Sequence, residues 1–151
     1  RPACPVLVAA LGTQMLNLAG SLTQGTVTWM TGPRTLGDHT APTINAAAER
    51  AGRPAPRVVA ALPVCVTADV DTARTRAGEE FQVSGMLPSY RAMLDREGAE
   101  GPADVAIVGD EDVVATQVRA LADAGVTEFV ASCFGSREER DRTRSVLRSL
   151  L

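Results

Sequence analysis

The sequence contains no lysine. All 15 basic residues are arginine, and with abundant alanine this is the usage expected of a GC-rich bacterial genome. Positive charge is not in excess either. The formal charge of −3 argues against a nucleic-acid partner, which needs a basic face to neutralise phosphates. Only three cysteines occur, Cys4, Cys65 and Cys133. They are far apart, sit in or beside apolar runs and show no zinc-site spacing, so they read as buried free thiols of a reducing cytoplasm. No apolar run approaches the ~18 residues that a membrane span requires, and no signal peptide is visible; a cytoplasmic location is expected. The one histidine, His39, lies near a helix start beyond a loop, where a surface or capping role is expected rather than catalysis. A glycine-rich G-x-G-x-x-G loop, a nucleophile elbow, a convincing acid/base pair and a metal-ligand set are all missing. If the chain serves an enzyme, a cofactor must carry the hard chemistry.

What is present is globular: 45% hydrophobic and 22% charged residues in a chain of 151, enough for one domain over residues 1–151. Residues 5–11 form a short apolar run broken by Gly12, as in a buried strand. Met15, Leu16, Leu18, Ala19 and Leu22 then recur at helical spacing, and Gly25 ends that segment. Residues 26–30 (TVTWM) are β-branched and aromatic, predicting a second strand. Thr35 and Asp38 have capping-box spacing ahead of a helix to about Ala51, with Pro42 tolerable near its start and Gly52 as its stop. Residues 57–67 predict a third strand, bent at Pro63. Asp69 or Asp71 can cap the helix that follows, Pro88–Arg96 predicts another stopped by Gly98, and residues 105–108 are a short extended piece. Helix Glu111–Ala124, strand Glu128–Ser132 and helix Arg137–Leu151, the last with a Ser136/Glu139 capping box, complete the chain.

Strands alternating with helices predict βαβ units with parallel strands and right-handed crossovers. Four such units of about 38 residues are half of the eight in a (β/α)8 TIM barrel of about 300 residues. A small doubly wound sheet is the alternative, but it usually announces itself with a phosphate-loop motif. Four parallel strands alone leave two open edges, which barrel closure removes. The chain also begins with Arg1 rather than Met, almost directly on a strand. We therefore expect the N-terminal half of the same barrel upstream, or association of two copies as a homodimer.

Barrel ligands meet the C-terminal tips of the strands. Gly12 and Thr13 lead straight into a helix whose free N–H groups and partial positive charge suit a phosphate, although a plain strand-to-helix turn has the same signature. Trp29, Thr31, Gly32 and Arg34 cluster at the next tip. Arg34 can pair bidentately with a phosphate or carboxylate, or simply be solvated. Phe134 after the last strand can shape a pocket for a small-molecule substrate. The acidic run Asp110–Asp112 reads as helix capping rather than metal binding.

The runs PVLVAALGTQMLNLAGSLTQGTVTWMTGPRTL and VGDEDVVATQVRALADAGVTEFVAS resemble luciferase-like flavin and deazaflavin oxidoreductases, closest to those using coenzyme F420, an 8-hydroxy-5-deazaflavin. The likeness places the chain as the C-terminal half of the barrel, from its fifth strand to its eighth. It implies a coenzyme phosphate on the backbone N–H groups of Gly12, Thr13, Gln14 and Met15. It also implies a pocket lined by Trp29, Thr31 and Gly32, with Arg34 beside them, and hydride transfer at the deazaflavin C5; from their places after the strands, Arg34 and Phe134 are the candidate substrate-binding residues. The resemblance predicts Pro and a basic residue after Gly12, where this chain has Thr13 and Gln14. It likewise predicts Ala-Asp before Gly25, where Thr23 and Gln24 stand. An FMN-dependent monooxygenase of the same superfamily and a non-catalytic flavin-binding half-barrel are the alternatives.

Overall fold

A computed structural model describes residues 4–151; Arg1, with which the expectation of an upstream segment began, lies outside them. The chain runs β1 (Val8–Ala9), α1 (Thr13–Leu22), β2 (Gly25–Trp29), α2 (Pro33–Thr35), a π-helical turn (Leu36–Thr40), α3 (Ala41–Arg50), β3 (Arg57–Val66) and α4 (Val70–Glu80). It continues with α5 (Gln82–Met86), α6 (Pro88–Glu97), α7 (Pro102–Val105), β4 (Ile107–Gly109), α8 (Glu111–Asp123), β5 (Glu128–Cys133) and α9 (Arg137–Ser149). All described strand pairings are parallel, as the alternation of strands and helices requires.

Strand β3 is the axis of the sheet. Ala60 pairs with Thr28 of β2 on one side and Phe129 of β5 on the other, which gives the lateral order β1-β2-β3-β5. Val64 pairs with both Ile107 and Cys133, so the short β4 continues the β2 side of β3 beyond the tip of β2. The extended piece expected at 105–108 forms a fifth strand over Ile107–Gly109, with Val105 instead ending α7. In contrast, the run 5–11 contributes only two strand residues, because β1 has a neighbour on one side alone.

The two faces of the sheet have different fates. Ala60, Leu62, Val64 and Val66 point to one face and are sealed by Leu94 of α6, Val114 and Leu121 of α8 and neighbouring residues. The valine and leucine side chains among them each contribute about 1.5–3 kcal/mol when fully buried. Toward β1 the same face packs against Leu16 and Ala19 of α1 and Ile44 of α3. Here α1 approaches the backbone of α3 closely: a Cβ on Gly20 would lie 2.5 Å from the Ile44 carbonyl oxygen. The opposite face carries Val59, Ala61, Pro63 and Cys65. Its upper part is covered where Cys65 and Val108 meet Ala73 and Ala77 of α4, and Val59 is buried as well. Lower on this face, Ala9 and Val130 are exposed.

Local signals mostly behave as read. Asp69 caps α4 through the Thr72 N–H, Asp110 caps α8 through the Val113 N–H, and Ser136 and Glu139 form a complete capping box. Gly98 ends α6 in the left-handed region at φ +80°, which costs glycine nothing. The Thr35/Asp38 capping box does not form. Thr35 is already helical, and the helix begins at Gly32 with Pro33 in its first turn. Pro42 enters α3 just after the π-helical turn; a proline has no N–H to give to the ladder and crowds the preceding turn, and a widened turn removes both conflicts. The cysteines are not uniformly buried: Cys65 is, Cys133 is half-buried and Cys4 is exposed. Cys4 precedes the first strand at the sheet's edge, where an apolar run has nothing to pack beneath.

Candidate functional site

A cleft of about 390 Å³ opens on the partly uncovered face, at the tips of β1 and β2. Its walls include Ala9 and Leu11 from the first strand region, Gly12 and Met15 at the start of α1, and Val27, Trp29 and Ala61 from the sheet. Ser89 and Tyr90 of α6 close one side. That volume lies in the range of small-molecule and cofactor sites, and its mostly apolar lining is typical of them.

The N-terminus of α1 at this cleft is unlike the other helix starts near the strand tips. Gly12 provides no capping side chain, and the first turn contains no acidic residue. The N–H groups of Thr13, Gln14 and Met15 belong to the helix's unpaired first turn. Elsewhere a carboxylate already fills the position: Asp69 for α4, Asp110 for α8 and Glu139 for α9. At α2 the acceptor is Glu97, whose two oxygens take the N–H groups of Arg34 (3.1 Å) and Thr35 (2.7 Å). Glu139 is the extreme case. The Ser136 N–H above all, then the Ser136 and Thr67 hydroxyls and the Arg76 guanidinium, hold its carboxyl down to about 2 against the opposing effect of burial.

Gly12 itself has extended backbone (φ −79°, ψ 156°), and a Cβ there would meet nothing within 4 Å. Among the described residues, no contact demands a glycine at this position. The structure therefore has room for an anionic group held by main-chain donors, next to an apolar cleft. A phosphate-tailed tricyclic coenzyme has that division of chemistry.

Two buried groups support the tip of β1. The His39 ring is 8% exposed, and its Nε2 lies 3.0 Å from the Leu11 carbonyl oxygen. A carbonyl only accepts, so Nε2 carries the proton. His39 is therefore neither a surface nor a capping residue. The π-helical turn rotates it inward, a displacement that no 3.6-residue periodicity encodes. Beneath it, the Thr26 hydroxyl binds the Ala10 N–H at 3.2 Å and the Val8 carbonyl at 2.9 Å. Trp29 is fixed equally well: its Nε1 donates to Ser84 Oγ at 3.1 Å, and its ring meets Phe81 edge-on at 5.7 Å.

The residues expected from sequence fall into three groups. Gly12, Met15 and Trp29 meet at the cleft, with Thr13 and Gln14 exposed beside it. Thr31 and Phe134 are buried behind it; Thr31 donates to the Trp29 carbonyl, and Phe134 packs edge-on against Phe81. Gly32 faces Glu97, and Arg34 is exposed, 3.8 Å from Asp38. Sequence reasoning did not find Ser84, Ser89, Tyr90 or Glu97. They come from the segment between β3 and β4, more than fifty residues from the strands they serve, and no local pattern marks them. Among the described residues, no group of three or more His, Cys, Asp or Glu side chains could hold a metal ion. Among the described residues, no helix is long and apolar enough to cross a membrane.

Comparison with known proteins bears directly on this geometry. The family model for luciferase-like monooxygenases matches residues 1–128. No curated protein matches the chain. Among solved structures, the chain is similar to an F420-dependent secondary alcohol dehydrogenase in complex with an F420–acetone adduct. The TM-score is 0.71 at 18% identity, over 99% of this chain and 49% of that one. It is also similar to the coenzyme F420-dependent tetrahydromethanopterin reductase of Methanopyrus kandleri, with TM-score 0.67 and 23% identity over 94% and 48% of the two chains. A third likeness is to the FMN complex of the oxygenating constituent of 3,6-diketocamphane monooxygenase from Pseudomonas putida, with TM-score 0.56 and 17% identity over 96% and 45%. The chain thus spans about half the length of the solved structures it matches, and its fold is half of a (β/α)8 barrel.

Proposed function

Because the chain belongs to the luciferase-like monooxygenase family, we propose that it is the C-terminal half of an oxidoreductase that transfers a hydride between coenzyme F420 and a small organic substrate. The observation that carries this reading is the α1 N-terminus. It is the helix start at the strand tips that offers main-chain donors without a carboxylate of its own, and it adjoins the apolar cleft.

In this reading the N–H groups of Thr13, Gln14 and Met15 hold the coenzyme phosphate, and the α1 dipole favours its charge. In this reading the Thr13 hydroxyl adds a donor in place of a basic side chain. Met15, Leu11 and Trp29 form the apolar wall for the ring system. Ser84 and Phe81 hold the Trp29 ring in one orientation, while Thr31 acts from behind through the Trp29 carbonyl. When bound, the deazaflavin supplies the hydride-carrying carbon; the residues of this half bind it, orient it and keep water from its apolar face. Arg34 and Phe134 do not line the cleft, so substrate contact is not part of their proposed role.

The exposed Ala9 and Val130 on the inner sheet face, together with the open edges of β1 and β5, support a complementary half-barrel as the missing cover. We take it to be the N-terminal half of the same polypeptide, with a second copy as the alternative. The FMN monooxygenase reading rests on the likeness to an FMN-bound enzyme, and the same main-chain donors suit the FMN phosphate. Titrating the full-length protein with F420 and with FMN, each followed by fluorescence quenching, separates the readings. Binding of F420 with turnover of a reducible substrate supports the proposal. FMN binding with oxygen consumption favours the monooxygenase, and binding of neither favours a non-catalytic module.

A further inference from the structure

We propose that Glu97 is a positioning residue: it pins α6 to the start of the α2 helix and so sets Ser89 and Tyr90 against the cleft. The proposal rests on the reading of that cleft as the coenzyme site. Helix α6 carries Ser89 and Tyr90 at its first turn and Glu97 as its last residue. It belongs to a helical segment between β3 and β4 that contains no strand, so no ladder hydrogen bonds locate it relative to β2.

Leu94 anchors its middle in the core, and a polar, specific contact holds its end. The Glu97 carboxylate accepts the N–H groups of Arg34 and Thr35, from residues 62 and 63 positions earlier in the chain. The Thr35 hydroxyl lies 3.4 Å from the Met93 carbonyl on the same helix. Hydrogen bonds to a charged acceptor are among the stronger ones, and a carboxylate at a helix N-terminus also gains from the dipole. The contact is tight as well as polar. A Cβ on Gly32 would lie 2.3 Å from the Glu97 carboxyl carbon, so the glycine at this position makes room for Glu97. Gly98 turns the chain away immediately afterwards. Because α6 is a rigid rod of about 1.5 Å per residue, fixing Glu97 at one end constrains Ser89 and Tyr90 at the other.

The test uses the full-length protein and four variants: Glu97→Ala, Glu97→Asp, Gly32→Ala and Gly32→Ala/Glu97→Ala. Hydrogen exchange of the hydrogen-bonded amides at 91–93 and the Kd for F420 are both measured. With two charge-assisted bonds removed, Glu97→Ala speeds exchange at 91–93 by about tenfold or more and weakens F420 binding by about five- to tenfold. Glu97→Asp keeps the charge but shortens its reach by a methylene, and gives intermediate exchange. Gly32→Ala damages the native background, yet adds little in the Glu97→Ala background, because its clash partner is gone.

Wild-type exchange at 91–93 in Glu97→Asp, together with wild-type exchange or failure to fold in Glu97→Ala, overturns the proposal. Equal damage by Gly32→Ala in both backgrounds also overturns it, and puts Gly32 against a ligand instead. If the protein binds no F420 at all, the coenzyme reading fails while the exchange measurement still decides the role of Glu97.

Discussion

Replacing Gly12 by valine separates what the fold needs from what a ligand needs. The backbone there is in the extended region open to any residue, and a Cβ would meet no neighbour within 4 Å. Within the protein, the expected cost is the poorer capping of a branched side chain, about 1 kcal/mol. It is offset in part by about 0.4–1 kcal/mol from the restricted unfolded chain. The net change is within about 1 kcal/mol, a shift of about 2–4 °C in Tm for a domain of this size. For the ligand the outcome is different. Two methyl groups project where a phosphate must approach the N–H groups of Thr13, Gln14 and Met15. Losing one hydrogen bond to a charged oxygen costs about 1.5–3 kcal/mol, or about 10- to 150-fold in Kd. Urea denaturation measures the first quantity and fluorescence titration with F420 the second. A Kd within twofold of wild type, at retained stability, would falsify the phosphate assignment. Collapse of the fold would show instead that Gly12 has a structural duty absent from its surroundings here.

Other perturbations test the surrounding frame. His39→Leu leaves the Leu11 carbonyl without its donor and is expected to lose about 1–3 kcal/mol of stability in urea denaturation; an unchanged midpoint would show that water replaces the ring. Glu139 has a folded pKa of about 2, below its ordinary 4.5. Its contribution is therefore present above pH 4.5 and lost as pH falls toward 2. Discounted for its partial exposure, Glu139→Gln is expected to cost about 2 kcal/mol at pH 7, with the difference from wild type closing near pH 2; a gap independent of pH would contradict the assignment. Burial pushes the Cys65 thiol up to about 11, so an alkylating reagent at pH 8 should label exposed Cys4 rapidly and Cys65 only on unfolding, as peptide mass mapping would reveal. Val130→Lys places a charge on the exposed inner sheet face and is expected to hinder closure by the complementary half, read as a lower urea midpoint for the full-length protein; an unchanged midpoint would show that this face stays open to solvent.

Much of the architecture was legible because it is local. Alternating apolar strands and amphipathic helices, punctuated by Gly25, Gly52, Gly98 and Gly125, encode parallel βαβ units through backbone geometry alone. Asp69, Asp110 and the Ser136/Glu139 pair mark helix starts for the same reason: a cap bonds a donor two or three residues away. The Thr35/Asp38 pair shows the limit of that logic. Its spacing suits a cap, but Glu97 fills the role one turn earlier from a distant helix, and Thr35 is drawn into the helix interior.

The candidate site divides along the same line. Gly12, Met15 and Trp29 could be placed at strand tips from sequence, because strand ends and helix starts follow from short-range pattern. Ser84, Ser89, Tyr90, Glu97 and the inward turn of His39 could not. Sequence by itself determined the order of strands and helices, their parallel sense and the free helix start at Gly12. Only the tertiary structure decided which segment walls the cleft, which carboxylate occupies which helix terminus and which sheet face stays open. The physical reason is range: propensity, periodicity and capping act over a few residues, whereas packing and hydrogen bonding join groups more than sixty residues apart and leave no periodic trace in the chain.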